Sequence, residues 1–487
     1  MLVSAYGTVF GLALIARFAQ LDNIPGLNGD EAWYGLWAER LLAGTVSDWH
    51  TPTGNLINPF LLLPLCALQA VTAPAPWVLR FGAAISGVAF VAVGFLCLRC
   101  TCERRSAAIF AVLAASLPTA IVYSRFGWDA SQTPLAAIIF IYCCLTGRLA
   151  LALLAWVAAL IVHPTNVFLF PIFAAFLAEE LKQPVAKIAG DAVARRLVPI
   201  VLIGGALTAI LVSIIVRPDG AMRLLSAHYW LWIFVLLSDL FSGVTVDRFI
   251  AGGVGWPFIH RAVVTAILAG TLLFWLCRGR DAQRDPVRTL SAGLAVSIFA
   301  FAAIVGPAGL VPNWERYALF LVAPVLVVAS VALSRSWRAE GDGAVWSALL
   351  CSGLALASVW TNYFEPLRGN GGAQSVASRS YYAFHTATVE PKVQAADWLS
   401  RPGARRSTVF AADWWLSMPL QYLLYYDPRL TVRPLGNSLP QATADGTVAV
   451  VFAGSELADR LSATGARDEA SIADGGGAPF LKIYRIE

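Results

Sequence analysis

Charge is what this 487-residue sequence has least of. Asp, Glu, Lys and Arg make up 13% of it, about half the roughly 25% usual in soluble domains. In compensation, 58% is hydrophobic and the mean hydropathy is +0.67. That deficit excludes a soluble globular protein and implies an integral membrane protein. The net charge of +5 is spread along the chain in small groups, mostly arginine, and gives no reason to invoke nucleic acid. Histidine is scarce near the only cysteine cluster, Cys97-x-x-Cys100-x-Cys102, so a zinc site there lacks its fourth ligand and reduced thiols are expected. No cysteine follows Cys351, which excludes a disulfide frame in the last part of the chain. A basic n-region and a small-residue cleavage site are absent from the start, so residues 2–19 read as an uncleaved first span. No internal repeat is visible.

What is present is a series of apolar runs, each near the ~20 residues that cross a bilayer. They fall at about 2–19, 79–98, 106–123, 130–147, 149–166, 167–181, 197–216, 259–277, 289–306, 317–333 and 344–361. About eleven transmembrane helices are therefore expected. Arg99, Arg104 and Arg105 lie in one connection, Arg148 in a second and Lys182 to Arg196 in a third. Arg278 to Arg288 and Arg335 to Arg338 make two more. On this count all five share one face, as the positive-inside rule asks of the cytoplasm. The N-terminus is then cytoplasmic and the C-terminal part extracytoplasmic. Keeping that agreement requires Tyr229–Phe241, although apolar, to be an interfacial helix rather than a span.

Polar residues with chemical promise collect on the opposite, external face. The stretch Leu27-Asn-Gly-Asp-Glu-Ala-Trp-Tyr34 puts two adjacent carboxylates, Asp30 and Glu31, just beyond the first span. After them Trp33, Trp37 and Leu41 recur at helical spacing, which predicts an amphipathic helix lying in the membrane interface. Asp30 could equally be the N-cap of that helix, and capping and catalysis do not exclude each other. Further along come Asp48-Trp-His50, Asn58 before a proline-led interfacial helix, Tyr123-Ser-Arg125 with Asp129, His163-Pro-Thr-Asn166 and Glu315-Arg-Tyr317. Charges at the ends of apolar spans are costly unless solvated or paired, so each is a functional candidate.

Beyond about residue 362 the composition turns polar. Asn370-Gly-Gly372 reads as a linker, dividing a transmembrane part (1–362) from a small α/β domain (373–487). Helices are expected at 391–400, 417–425 and 455–463, with strands at 407–411, 430–433, 447–452 and 480–486. Gly475-Gly-Gly477 precedes no helix and reads as a turn rather than a phosphate loop.

With these residues laid out, the chain resembles the GT-C glycosyltransferases of the protein O-mannosyltransferase and aminoarabinose (lipid A) transferase type. The resemblance covers about residues 1–335 and rests on Asp30-Glu31-Ala-x-Tyr34, Ala38, Leu41-Leu-Ala-Gly44, the Pro59 helix and Leu79-Arg80-Phe-Gly-Ala-Ala. It implies a GT-C-like helical fold and transfer of a sugar from a polyprenyl-phosphate donor to a lipid, glycan or protein acceptor outside the cytoplasm. In these terms Asp30 is the catalytic carboxylate, supported by Glu31 and Asp129. Arg80, Arg125, His163, Arg316 and Tyr317 face the donor phosphate, and Tyr34, His50 and Asn58 line the acceptor cavity. Relatives of the lipid A type often carry Lys-Pro-Pro before the proline-led helix, where this chain has Ile57-Asn58-Pro59. Any phosphate contact from that lysine is then absent or moved to His50, Arg80 or Arg316. The resemblance fixes no cofactor, and a divalent cation between Asp30, Glu31 and Asp129 stays open. A transporter or flippase for a lipid-linked saccharide is the alternative; repeats and ionisable groups near the midplane would mark it. Here the polar residues sit at one rim.

Overall fold

With no water in a bilayer core to take up backbone hydrogen bonds, long apolar segments are driven into helices that satisfy themselves. The computed structural model describes residues 2–46, 48–216, 226–243, 285–305, 315–336, 343–369, 390–402, 407–435 and 446–486. The first half contains α1 (Leu2–Phe18), α2 (Gly29–Leu42), α3 (Pro59–Gln69), α4 (Pro76–Thr101) and α5 (Arg104–Ser116). Then come α6 (Pro118–Tyr123), α7 (Thr133–Leu145), α8 (Leu149–Val162), α9 (Phe170–Ala189) and α10 (Asp191–Val216). After these are α11 (Ala227–Ser242), α12 (Pro286–Ile304), α13 (Val322–Ser336), α14 (Gly343–Val359) and α15 (Glu365–Gly369). Among the described residues, four stretches are long and apolar enough to cross a membrane unbroken: Pro76–Thr101, Pro164–Lys182, Pro286–Ile304 and Arg316–Arg335.

Several expected spans are instead broken or extended, and imino or glycine chemistry explains where. The run at 106–123 is split between α5 and α6 because Pro118 has no N–H to continue the ladder. Pro164 ends α8 in the same way and starts a 3-10 turn, Pro164–Leu169, ahead of α9. The basic connection expected over 182–196 is almost entirely helix: α9 carries Lys182 and Lys187. Gly190, at φ +85°, turns the chain into α10 in one residue. Tyr229–Phe241 does form a helix, α11. The expected span 259–277, the Arg278–Arg284 group and the 370–372 linker lie outside the described residues.

Close helix contacts use small residues, as lipid-embedded interfaces do. A Cβ on Gly94 of α4 would run into the Phe110 ring of α5, and one on Gly87 would meet Ser124 Cβ at 2.5 Å. Three fully buried arginines tie the end of α1 and the loop after it to this core. Arg17 donates to the carbonyls of Ala114 and Ala115, both at 3.1 Å. Arg125 donates to Ala16 (3.0 Å), Ala19 (2.6 Å) and Ile24 (2.8 Å). Helix ends leave carbonyls unpaired and carry partial negative charge, so a guanidinium serves α1 there on both counts.

The last section folds as α16 (Pro391–Leu399), β1 (Ser407–Ala411), α17 (Trp414–Leu423), β2 (Leu430–Pro434), β3 (Thr447–Phe452), α18 (Glu456–Ala463), β4 (Arg467–Ala473) and β5 (Pro479–Ile486). The sheet order is β2-β1-β3-β5-β4, parallel across β2-β1-β3 and antiparallel across β3-β5-β4. Val409, Val450 and Ile483 on one face meet Leu416 and Leu420 of α17. Strand β4 escaped the sequence reading. It is a polar edge strand whose Asp468 and Glu469 pair with Lys482 (3.0 Å) and Arg485 (2.5 Å) of β5. Such a strand has no apolar alternation to reveal it. The expected turn at Gly475–Gly477 is present, with Asp474 Oδ1 accepting from Gly476 and Ala478.

Helix α2 departs from expectation in its surroundings. It is not a surface helix with an exposed aromatic stripe, because α3 covers it on one side and α17 of the C-terminal section on another. Trp37 is buried among Leu61, Leu65 and Tyr422. Helix α3, by contrast, exposes Phe60 and Leu63, the apolar outer face expected of an interfacial helix.

Candidate active site

The geometry begins with how α2 starts. Asn28, not Asp30, is the N-cap: its side chain accepts from the Asp30 N–H at 2.7 Å, and its own N–H donates to Glu31 Oε1 at 3.0 Å. This is a reciprocal capping box, and it leaves the Asp30 carboxylate free of the helix terminus. Successive residues on a helix point about 100° apart, so the two adjacent carboxylates diverge.

Glu31 turns inward and is fully buried. Arg80 binds it through Nε (3.0 Å) and Nη2 (2.6 Å), and the Gly127 N–H donates to Oε2 at 2.9 Å. The remaining Arg80 donors go to the carbonyls of Leu21, Pro25 and Gly26 at 2.7–3.1 Å. All five N–H groups of that guanidinium are therefore committed. The geometry corrects two expectations. Glu31 has no free oxygen for catalysis or a cation, and Arg80 has no donor left for a phosphate. Both hold the loop that launches α2. Arg125, with its carbonyl partners and full burial, likewise does not face a phosphate in this arrangement.

Asp30 points the other way, and its side chain stays about one-third exposed (36%). The Trp414 indole N–H donates to its Oδ1 at 2.9 Å, and Arg316 Nη1 lies 3.8 Å from Oδ2. The Arg316 guanidinium sits over the rings of Trp128 (5.1 Å) and Tyr317 (5.0 Å), and Nη2 donates to Tyr317 Oη at 3.2 Å. Cation–π packing of this kind holds a guanidinium in place without using its N–H groups. Among the described residues, the Tyr317 bond is the only one Arg316 makes. The Tyr317 ring lies 6.0 Å from that of His163, whose Nδ1 is 2.7 Å from Thr165 Oγ1. Asp129 begins the 3-10 turn Asp129–Gln132, close enough for its charge to act on Asp30, Tyr34 and His163.

Electrostatically the site is mixed. Burial raises the pKa of Asp30 above the usual carboxylate range, and Asp129 and Glu31 push the same way. Arg316 and the Trp414 N–H pull it back. Burial also raises the Tyr34 hydroxyl well above its ordinary value, with the Asp129 and Asp30 carboxylates adding to the effect. His163 is lowered by burial.

Asp30, Tyr34, Asp129, His163, Arg316 and Tyr317 thus come together, as the sequence reading expected. His50 and Asn58 do not join them. His50 is exposed on a hairpin and pairs with Asp48 at 2.6 Å. Asn58 is buried as the N-cap of α3, and its amide donates to Gln132 Oε1 at 2.8 Å. No group of three or more His, Cys, Asp or Glu suited to a metal ion occurs among the described residues. Once Glu31 is withdrawn, only Asp30 and Asp129 are left of the cation set.

Trp414 and Trp128 are the members that sequence reasoning missed. The pair Trp414-Trp415, set in an otherwise polar section, was the available signal. Gly29 is what admits Trp414. A Cβ there would stand 2.5 Å from its Cδ1 and 2.6 Å from its carbonyl oxygen. Gly29→Ala should therefore displace the start of α17 from α2 at an overpacking cost of about 1–3 kcal/mol. A lower melting temperature with altered tryptophan fluorescence would show it.

No protein-family model and no curated protein matches this sequence. Solved structures do. ArnT from Cupriavidus metallidurans bound to undecaprenyl phosphate is similar over 99% of this chain and 98% of that one, at 14% identity and TM-score 0.52. The apo state of the same protein is similar over 100% and 98%, at 15% identity and TM-score 0.54. An Archaeoglobus fulgidus oligosaccharyltransferase tethered to an acceptor peptide gives TM-score 0.46 at 14% identity, over 90% of this chain and 64% of that one. At such identities the likeness to ArnT is one of fold, and it runs the whole length of the chain. The helical framework and the small C-terminal sheet together have the fold of ArnT.

Proposed function

We propose that the protein is a membrane glycosyltransferase that moves a sugar from a polyprenyl-phosphate donor to a lipid, glycan or protein acceptor at the extracytoplasmic face. The observation that carries this reading is the pairing of Asp30 with Arg316, 3.8 Å apart and both partly exposed though far apart in the chain. One supplies a carboxylate left free by its helix cap, the other a cation whose charge is not consumed by a buried partner. The ArnT structure that holds undecaprenyl phosphate has the same fold, which supports a lipid-phosphate donor.

Such a donor is already activated, because its phosphate is the leaving group. Asp30 accepts the proton of an acceptor hydroxyl as the acceptor oxygen bonds to the anomeric carbon. The carbon–oxygen bond to phosphate breaks and its electron pair leaves with the polyprenyl phosphate. Arg316, steadied by Trp128 and Tyr317, faces the charge that grows on that phosphate. Tyr34 and Asp129 shape the acceptor side. For a phosphate acceptor no base is needed, and Asp30 would orient it or hold a cation with Asp129.

The test is binding of undecaprenyl phosphate to the purified full-length protein. Arg316→Ala is expected to weaken it about tenfold to a hundredfold, the loss of one or two charge-assisted hydrogen bonds. Unchanged affinity would remove Arg316 from the donor site. Movement of labelled lipid across vesicles without any sugar transfer would favour the flippase alternative instead.

A further inference from the structure

Helix α17 belongs to the C-terminal section, yet its first residue closes on Asp30. Trp414 donates its indole N–H to Asp30 across 384 positions of sequence. The approach is braced along the whole of α2. Tyr422 packs where Gly35 has no side chain, and its Oη accepts from the Ala75 N–H at 3.2 Å. One turn beyond, the Tyr426 hydroxyl donates to Glu39 Oε2. Asp30 therefore meets two different partners on its two oxygens: a neutral donor on Oδ1 and, more loosely, Arg316 beside Oδ2.

We infer that Trp414 is a positioning residue: its indole N–H fixes one oxygen of Asp30 so that the other is presented to the acceptor. This deepens the reading above and rests on it. A hydrogen bond given to the charged form of an acid favours that form. It opposes the burial and the Asp129 and Glu31 charges, which raise the Asp30 pKa, and it acts alongside Arg316. The Tyr34 hydroxyl also lies within reach of the Asp30 charge, and His163 within reach of the Asp129 charge. The C-terminal section thereby controls both the orientation and the protonation of the base. A lid that merely covered the cavity would control neither.

The experiment reads the protonation of Asp30 directly. Full-length protein in detergent is treated with dicyclohexylcarbodiimide, which reacts with protonated carboxyl groups. Labelling of the Asp30 peptide is then followed by mass spectrometry as pH rises, with Asp30→Asn as the unlabelled control. In Trp414→Phe, which keeps the ring and loses the N–H, the midpoint is expected to move up by about one pH unit. Should that variant fail to fold, Gly29→Ala displaces the indole without altering it and is expected to shift the midpoint the same way. A midpoint unchanged from the native protein overturns the inference. Because labelling requires no transfer, this failure is distinct from failure of the proposed function, which would appear as full activity in Asp30→Asn.

Discussion

Asp30→Asn should lower sugar transfer by about 10²- to 10⁴-fold, the range that a general base contributes, while the protein still assembles. Its isolation from the fold is what makes the variant informative. Asn28 caps α2, Glu31 closes the capping box, and neither depends on the Asp30 carboxylate. An asparagine oxygen can still accept the Trp414 N–H. Stability should follow a definite sign. Burial holds the folded Asp30 pKa above its unfolded value, so the proton it binds favours the fold below the unfolded pKa. That contribution is lost as pH rises through the folded value. At neutral pH Asp30→Asn should therefore melt no lower than the native protein. If the proposed transfer holds, the acid limb of kcat/KM in the native protein should lie above that of an ordinary carboxylate, and it should disappear along with activity in the variant. Full activity in Asp30→Asn would remove the mechanism.

Glu31→Ala should produce the opposite profile, a large loss of stability. The Glu31–Arg80 pair is completely enclosed, with both side chains at 0% exposure. Removing the carboxylate leaves a guanidinium uncompensated inside the protein and strips the Gly127 N–H of its acceptor. Breaking a buried pair from one side costs about 3–5 kcal/mol, a large part of the stability of most domains. The loop from Leu21 to Gly26 and the start of α2 should loosen together, since Arg80 binds both. Thermal unfolding of the purified variant measures the loss. A double variant, Glu31→Leu with Arg80→Met, should recover only part of it: the unpaired charge is gone, but the Leu21, Pro25 and Gly26 carbonyls and the Gly127 N–H lose their partners. If Glu31→Ala instead melted normally and lost only activity, Glu31 would belong to the chemistry after all.

These two neighbouring acids show where the sequence could be read and where it could not. Their placement just past the first span, and the company of Asp129, His163, Arg316 and Tyr317 on one face, followed from apolar run lengths and loop charges. So did most of the C-terminal strands, whose apolar residues carry their own signal. The division of labour between Asp30 and Glu31 did not follow. It depends on Asn28 winning the cap and on Arg80 coming up from α4 beneath Glu31. Arg80 and Arg316 look alike in sequence, as arginines at the edges of apolar runs. One spends every donor on buried partners, while the other is held by aromatic faces and partly exposed.

From residues alone came the membrane class, the grouping of the polar loops and the resemblance to a GT-C enzyme. Hydrophobic length and first-loop spacing are properties of local chain, legible without a fold. Tertiary structure alone decided which acid is taken up by a buried pair, which arginine spends all its donors, and that Trp414 from the C-terminal section reaches Asp30. Those outcomes hang on competition for donors and acceptors between segments remote in sequence. Burial settles that competition, and burial exists only once the chain has packed.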